Sequence, residues 1–424
     1  MQQRFPDPRS FRDPAEREAD LFARLPAQIA HAKTHAPYFA QSLAQIDPAA
    51  ITSRQALARL PVLRKNELLE LQKANRPFGG VAAIGWGPSA VRRAARVFAS
   101  PGPIYEPEGP EMHAYVRTAN ALYAAGFRPG DLIHNSFSYH MTPGGWILDA
   151  GALALGCTVF PAGVGNTEQQ IAAMLDLKPD GYVGTPSFLR ILLEKADELG
   201  TPITSLKKAA VSGEYFPPAL RQMLRERGII ASQCYATADV GLIAYEAPDA
   251  MGNVEGMVID EDLIVEIVRP GTGDPVPEGE VGEVVVTTFN PDYPLIRFGT
   301  GDLSAVLPGR CPSGRTNTRI KGWMGRADQT AKVKGMFVHP SQVAEVAKRF
   351  PELGRVRLVI TNPDDRDQMT LKAECVAAPE GLAARVKEAL RDITKLGGEV
   401  ELLPPGTLPN DGKVIDDART YAQG

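Results

Sequence analysis

PLIRFGTGDL (residues 294–303) and RIKGWMGRADQTAKVKG (residues 319–335) divide this sequence. They put a carboxylate, Asp302, after the turn Thr300-Gly301, and an Arg326/Asp328 pair just ahead of a lysine-rich strand. Glycine-flanked turns of this kind let a backbone come close to a ligand and let neighbouring blocks swing. Upstream, the pattern reads as one large α/β unit, residues 1–325; downstream it reads as a small α+β cap, residues 326–424. A ligand site and a hinge near 327–328 are expected at this join.

Working backwards, residues 97–245 alternate helical and strand patterns. A helix over 109–125 precedes a strand near 131–135, and a helix over 145–155 precedes the strand Cys157–Pro161. A helix over 168–176 leads to Gly181–Gly184, and a helix over 187–199 to Lys208–Ser212. A further helix over 217–227 opens on Pro217-Pro218, residues suited to a first turn. Repeated βα units of this length imply a mostly parallel sheet covered on both faces. At the N-terminus, 14–46 and 53–59 carry helical periodicity. After Tyr245 the pattern changes. Met257–Val268 and Val281–Phe289 are β-rich and flanked by Gly/Pro turns, which predicts a β subdomain at about 250–305. The last block reads β 331–338, helix 341–349, β 355–361, β 370–376, helix 380–394, β 399–403.

Among 424 residues, 46 are basic and 50 acidic, and without a Lys/Arg block this balance gives no reason to expect a nucleic-acid partner. The first residues, MQQRFPDPRSFRDPAERE, lack the apolar core of a signal peptide. The most apolar stretch, Trp146–Gly163, contains Asp149, glycines and Pro161, so it reads as core and not as a membrane span. Four scattered cysteines without a CxxC pair fit a reducing cytoplasm and argue against a zinc site.

Several short motifs occur in order: Ala36-Pro37-Tyr38-Phe39, Leu60-Pro61 with Lys65, Thr167 to Ile171, Thr185-Pro186-Ser187-Phe188, Ser212-Gly213-Glu214, Tyr235 to Asp239, Arg297 to Asp302, Gly325-Arg326-Ala327-Asp328 and Gly412-Lys413. As an ordered set spanning the chain they resemble the phenylacetate–coenzyme A ligase branch of the adenylate-forming enzymes. The resemblance implies ATP, Mg²⁺ and CoA as co-reactants and a small carboxylic acid as substrate. It implies a homodimer as the possible assembly.

The resemblance gives Asp302 the ribose diol, which a carboxylate can accept from bidentately; a turn-capping Asp would look the same. It gives Arg326 the same ribose or the phosphate, and Asp328 the hinge. Ser212, Gly213 and Glu214 end a strand where ligands of open α/β sheets lie, and Gly213 permits flat approach of an adenine. Tyr235, with Ala236 and Thr237, completes the nucleotide floor, its ring either stacking on the base or sitting in the core. Lys413 is the catalytic candidate, a cation delivered to the α-phosphate and the substrate carboxylate. Tyr139, Gly144 and Gly145 match the stretch that lines an aromatic acid pocket, Tyr139 packing edge-on against a ring or belonging to the core.

Two departures stand out. The family's phosphate loop is Ser/Thr/Gly-rich and ends in Lys; Phe98–Tyr105 has one glycine, two prolines that cannot donate, and no lysine. Tyr235-Ala236-Thr237-Ala238-Asp239 has Asp239 where the family has Glu, keeping a carboxylate for Mg²⁺ but one methylene shorter. The leading reading is an ATP-dependent aryl- or arylacetyl-CoA ligase. The alternative is a ligase-like protein that binds AMP, an acyl-adenylate or an acyl-CoA without ATP turnover.

Overall fold

Apolar runs alternating with helices build a parallel sheet when each strand is buried on both faces. Five parallel strands lie here in the order Thr158–Pro161, Leu132–Asn135, Gly181–Gly184, Lys208–Val211, Ile230–Thr237, the first a partly exposed edge strand. The computed structural model describes residues 5–88, 90, 92–333, 336–363, 367–409 and 413–419. The crossovers are the helices Gly144–Leu155, Thr167–Leu177, Pro186–Glu198 and Pro218–Glu226. Thr185 caps the third of these, its Oγ1 accepting from the Phe188 N–H at 3.4 Å, with Pro186 as the first helical residue.

Beyond Ile230–Thr237 the same sheet turns antiparallel through Gly241–Tyr245, Met257–Ile259, Arg319–Ile320 and Val306–Leu307. The expected single run Met257–Val268 is therefore two strands in two sheets. The break falls at Asp260-Glu261-Asp262, where carboxylates are drawn to arginines: Asp260 pairs with Arg117 at 3.1 Å and Glu261 with Arg17 at 2.9 Å. Leu263–Val268 then joins a four-stranded sheet with Gly282–Thr288, Phe298–Ser304 and the short Leu63–Arg64. The helix expected over 109–125 starts only at Thr118. Ahead of it lie the strand Ile104–Glu108 and a turn with Met112 at φ 50°, which no helix accommodates.

The chain divides into two compact units, one of Met1–Thr300 with Ser304–Trp323, the other of Gly301–Leu303 with Met324–Gly424. Backbone bonds explain why Gly301–Leu303 goes with the second: Leu303 N–H donates to the Gly325 carbonyl at 2.8 Å and Met324 N–H to the Leu303 carbonyl at 2.9 Å. The second unit contains a four-stranded sheet ordered Glu399–Leu403, Gln368–Cys375, Leu353–Thr361, Ile415–Asp417. The last of these strands has no counterpart in the sequence reading, its period being too short to register in three residues. Val343, Val346, Leu358, Leu371, Val386 and Leu390 form the core between this sheet and the helices Pro340–Arg349 and Leu382–Thr394. Among the described residues no helix is long and apolar enough to cross a membrane.

Candidate adenylate-forming site

The carboxyl ends of the parallel strands carry the first group of expected residues. Ser212, just past Lys208–Val211, is buried and donates its hydroxyl to the Cys234 carbonyl at 2.7 Å, tying two strand ends together. Glu214 turns its carboxylate to the start of a helix, accepting from Ser187 N–H at 2.6 Å, where a helix N-terminus favours negative charge. Tyr235 is 9% exposed within the largest apolar core, its OH donating to Thr300 Oγ1 at 3.2 Å. Next to it Ala236 starts a register shift in the strand pairing, and Thr237 Oγ1 accepts from Val240 N–H at 3.2 Å. That bond shapes the turn that aims Asp239.

Asp239 is the most constrained carboxylate of the group. Its side chain is 1% exposed and Oδ2 accepts from Lys65 Nζ at 2.7 Å. Among the described residues no donor reaches Oδ1, an oxygen left buried and unsatisfied. A lone inward carboxylate oxygen suits Mg²⁺, which takes one or two carboxylates and completes its shell with phosphates and water. Close enough to act on it is a second buried acid, Glu106. It sits in the hairpin formed by Arg96–Ser100 and Ile104–Glu108, the place expected for a phosphate loop. Ser100 N–H donates to Glu106 Oε2 at 3.2 Å, and the Ser100 hydroxyl makes a short bond to Oε1.

Burial pushes the Glu106 carboxyl up to about 8, with the Asp239 charge adding to it against Ser100 and Lys65. The folded protein thus holds a proton at Glu106 that the unfolded chain releases near the ordinary carboxylate value. Stability contributed by that proton is present below the unfolded value and is lost as pH climbs towards 8. At roughly 1.4 kcal/mol per pKa unit, a rise from 4.5 to about 8 makes the loss on the order of 5 kcal/mol. Urea titrations of Glu106→Gln at a series of pH values should show this slope flattened; an unchanged slope would refute it.

The expected acyl-pocket residues come together. Tyr139 OH accepts from Asn135 Nδ2 at 2.7 Å and donates to Asp149 at 3.0 Å, while its ring meets Trp146 edge-on at 5.4 Å. Gly145 is required there: a Cβ would lie 2.8 Å from the Ser138 carbonyl oxygen and 2.9 Å from the Tyr139 ring. Gly144 faces Phe137, a Cβ there falling 3.6 Å from that ring. The motif around Gln170 proves to be scaffolding. Buried Gln170 bonds His134 at 2.8 Å and donates to the Gly163 and Gly165 carbonyls.

In the second unit Arg326 Nη1 donates to Asp302 Oδ1 at 3.2 Å, and the two residues also form an isolated antiparallel bridge. Gly301 has φ 77°, and a Cβ there would lie 2.7 Å from Arg326 Nη2, so a side chain would push this guanidinium aside. Asp328 lies in the single 3-10 turn Ala327–Gln329; its side chain is outside the described residues. Lys413 is described although 410–412 are not. Its side chain is 56% exposed, with Nζ 3.4 Å from Asp416 Oδ1, and its carbonyl accepts from Arg357 Nε at 3.2 Å. Gln329 Oε1 accepts from the next N–H, that of Val414, at 2.9 Å, which fixes the backbone from which Lys413 projects.

Sequence reasoning missed Glu106 and the partnership of Lys65 with Asp239. The one signal for Glu106 was its place beside Glu108 in the short strand-like run IYEPE; no local pattern pairs residues 174 apart.

A mixed sheet with a buried carboxylate, Asp239, past one strand end, followed by a small α+β unit, fits the fold of the adenylate-forming enzymes. A family model described as AMP-binding enzyme matches residues 112–290. A phenylacetate-coenzyme A ligase of Thermus thermophilus is 30% identical over 91% of this chain and 92% of its own length. One from Aromatoleum evansii is 32% identical over 87% and 86%. The fold matches that of a 2-hydroxyisobutyryl-CoA ligase solved in an open conformation with 2-HIB-AMP and CoA, with TM-score 0.83, 24% identity, and coverage of 96% of this chain and 93% of that one. The chain belongs to the phenylacetate–coenzyme A ligase family, and it is an acid–CoA ligase of the adenylate-forming superfamily.

Proposed function

We propose that this ligase activates an aromatic, phenylacetate-like acid and transfers it to CoA. The observation that carries this reading is the near full-length similarity to relatives named phenylacetate-coenzyme A ligase. The Tyr139–Trp146 aromatic edge beside Gly144-Gly145 supports it, because an edge-on pair offers a ring-sized acid an apolar wall.

In the proposed reaction a substrate carboxylate oxygen attacks the α-phosphorus of ATP and pyrophosphate leaves. The CoA sulfur then attacks the acyl carbonyl, losing its proton, and AMP leaves. Asp302 accepts from the ribose hydroxyls, with Arg326 holding it in place or touching the phosphate. Ser212, Gly213, Glu214, Tyr235, Ala236 and Thr237 shape the adenine floor, Ser212 and Glu214 through the strand and helix ends that they fix. Asp239 would hold Mg²⁺, which when bound neutralises phosphate charge. Lys413 stabilises negative charge on the α-phosphate, and Asp328 keeps the hinge role. A cytoplasmic location and a homodimer belong to the same proposal, light scattering reading out the second.

The test is AMP release by the purified protein with ATP, Mg²⁺, CoA, phenylacetate and a panel of aromatic and short aliphatic acids. Release strongest with an arylacetate or arylcarboxylate is expected; release with an aliphatic acid alone would sink the aromatic assignment. A second reading has its own observation, the commitment of the Ser100 donors to Glu106. On that reading the protein binds AMP or an acyl-adenylate, and no acid elicits AMP release.

A further inference from the structure

A phosphate loop works by presenting free backbone N–H groups and a cation to oxygens of the β- and γ-phosphates. The donors along the Phe98–Tyr105 hairpin can be accounted for individually. Ala99 N–H donates to the Met141 carbonyl at 2.8 Å. Ser100 N–H goes to Glu106 Oε2 at 3.2 Å, and Tyr105 N–H to Gln72 Oε1 at 2.8 Å. Pro101 and Pro103 have no N–H to give. Gly102 at the tip and Ile104, paired in register with Ser100, remain. The Ser100 hydroxyl is likewise engaged with Glu106, whose side chain is buried with the residue only 1% exposed. The cation within reach, Lys65, bonds Asp239 at 2.7 Å.

We propose that Glu106 is a specificity-determining residue. Its carboxyl group holds two donors of the loop, the Ser100 N–H and hydroxyl, that would otherwise meet the β- and γ-phosphates, so the site favours AMP and acyl-adenylates over ATP. This rests on the ligase reading and deepens it, since it concerns the phosphate side of that same site. The internal carboxyl fills the acceptor position of a phosphate oxygen: it takes one backbone N–H and one hydroxyl of the loop. A triphosphate has to displace it, whereas a monophosphate ester does not extend that far. An enzyme so built captures its adenylate well and loads ATP poorly, which slows the first half-reaction relative to the second.

Calorimetric titration of the full-length protein with AMP and with ATP·Mg²⁺, in parallel with AMP-release assays, tests this. For wild type, AMP should bind about tenfold or more tighter than ATP, the Ser100 N–H and hydroxyl being withheld from the outer phosphates. Glu106→Ala frees both Ser100 donors, and Glu106→Gln, of nearly the same volume, leaves one acceptor oxygen where there were two. Each should tighten ATP about tenfold, with AMP changed by less than about twofold. Equal ATP and AMP affinities in wild type with AMP release intact would overturn the proposal and leave the ligase reading standing. A wild-type preference that neither variant shifts would overturn it also. Failure of all three folded proteins to bind either nucleotide would overturn both. The Gln variant keeps the test decisive should the Ala variant not fold.

Discussion

Lys413→Ala is expected to reduce acyl-adenylate formation by about 10²–10³-fold, the usual effect of deleting a group that meets charge developing in the transition state. The reason lies in where the residue stands. Its side chain is 56% exposed with Nζ 3.4 Å from Asp416, a distance at which an exposed ion pair contributes little to folding. Because the side chain is more than half exposed, its removal should cost little stability, and the melting temperature measured alongside separates lost chemistry from lost folding. The Val414–Gln329 bond at 2.9 Å and the carbonyl contact to Arg357 at 3.2 Å hold the backbone in place in the variant. Thioester formation from supplied acyl-adenylate needs no charge stabilisation at the α-phosphate during ATP cleavage, and should be spared. Pyrophosphate exchange reports the first half-reaction and CoA consumption the second. Equal losses in both would show that the role assigned to Lys413 is wrong.

The second large effect concerns stability. Arg297 is fully buried, and its guanidinium donates to both oxygens of Glu266, at 2.9 and 3.0 Å, and to the carbonyls of Ala58, Leu60 and Gly273. Five bonds from one side chain join the N-terminal helices to the four-stranded sheet. Arg297→Ala would leave Glu266 buried without its counter-charge and three carbonyls unsatisfied, a loss of about 3–5 kcal/mol. In a chain of this size that lowers the thermal midpoint by about 3–6 °C. Burial outweighs the Arg297 attraction in setting the Glu266 carboxyl above its ordinary value, which marks the pair as costly to desolvate. The double variant Arg297→Met with Glu266→Leu should therefore recover much of the loss. Scanning calorimetry of the three proteins decides it; a single variant within about 1 kcal/mol of wild type would refute the buried-pair account.

These two residues also show what could be read before the fold was known. Both lie in motifs whose order along the chain pointed to the family, and one of them, Arg297, turned out to serve the scaffold. Side-chain type and spacing cannot separate an arginine that meets a ligand from one that meets Glu266, because burial is a property of the assembled sheets.

The sequence alone determined the alternation of strands and helices between 131 and 227, since apolar runs and the helical period are written locally; the strand Ile230–Thr237 it did not name. It also carried the family, through the order of many short motifs, and the anomaly of a proline-rich phosphate loop. Tertiary structure decided the rest. Splitting of the run at 257–268 between two sheets depended on Arg117 and Arg17, more than 140 residues away, drawing in Asp260 and Glu261. Assignment of Gly301–Leu303 to the second unit depended on backbone bonds to residues 324–325. Most of all, only the folded chain shows where the donors of the hairpin go. Hydrogen bonds and buried charges are settled by proximity in space, and Ser100, Glu106, Lys65 and Asp239 meet only once the hairpin and sheet have formed.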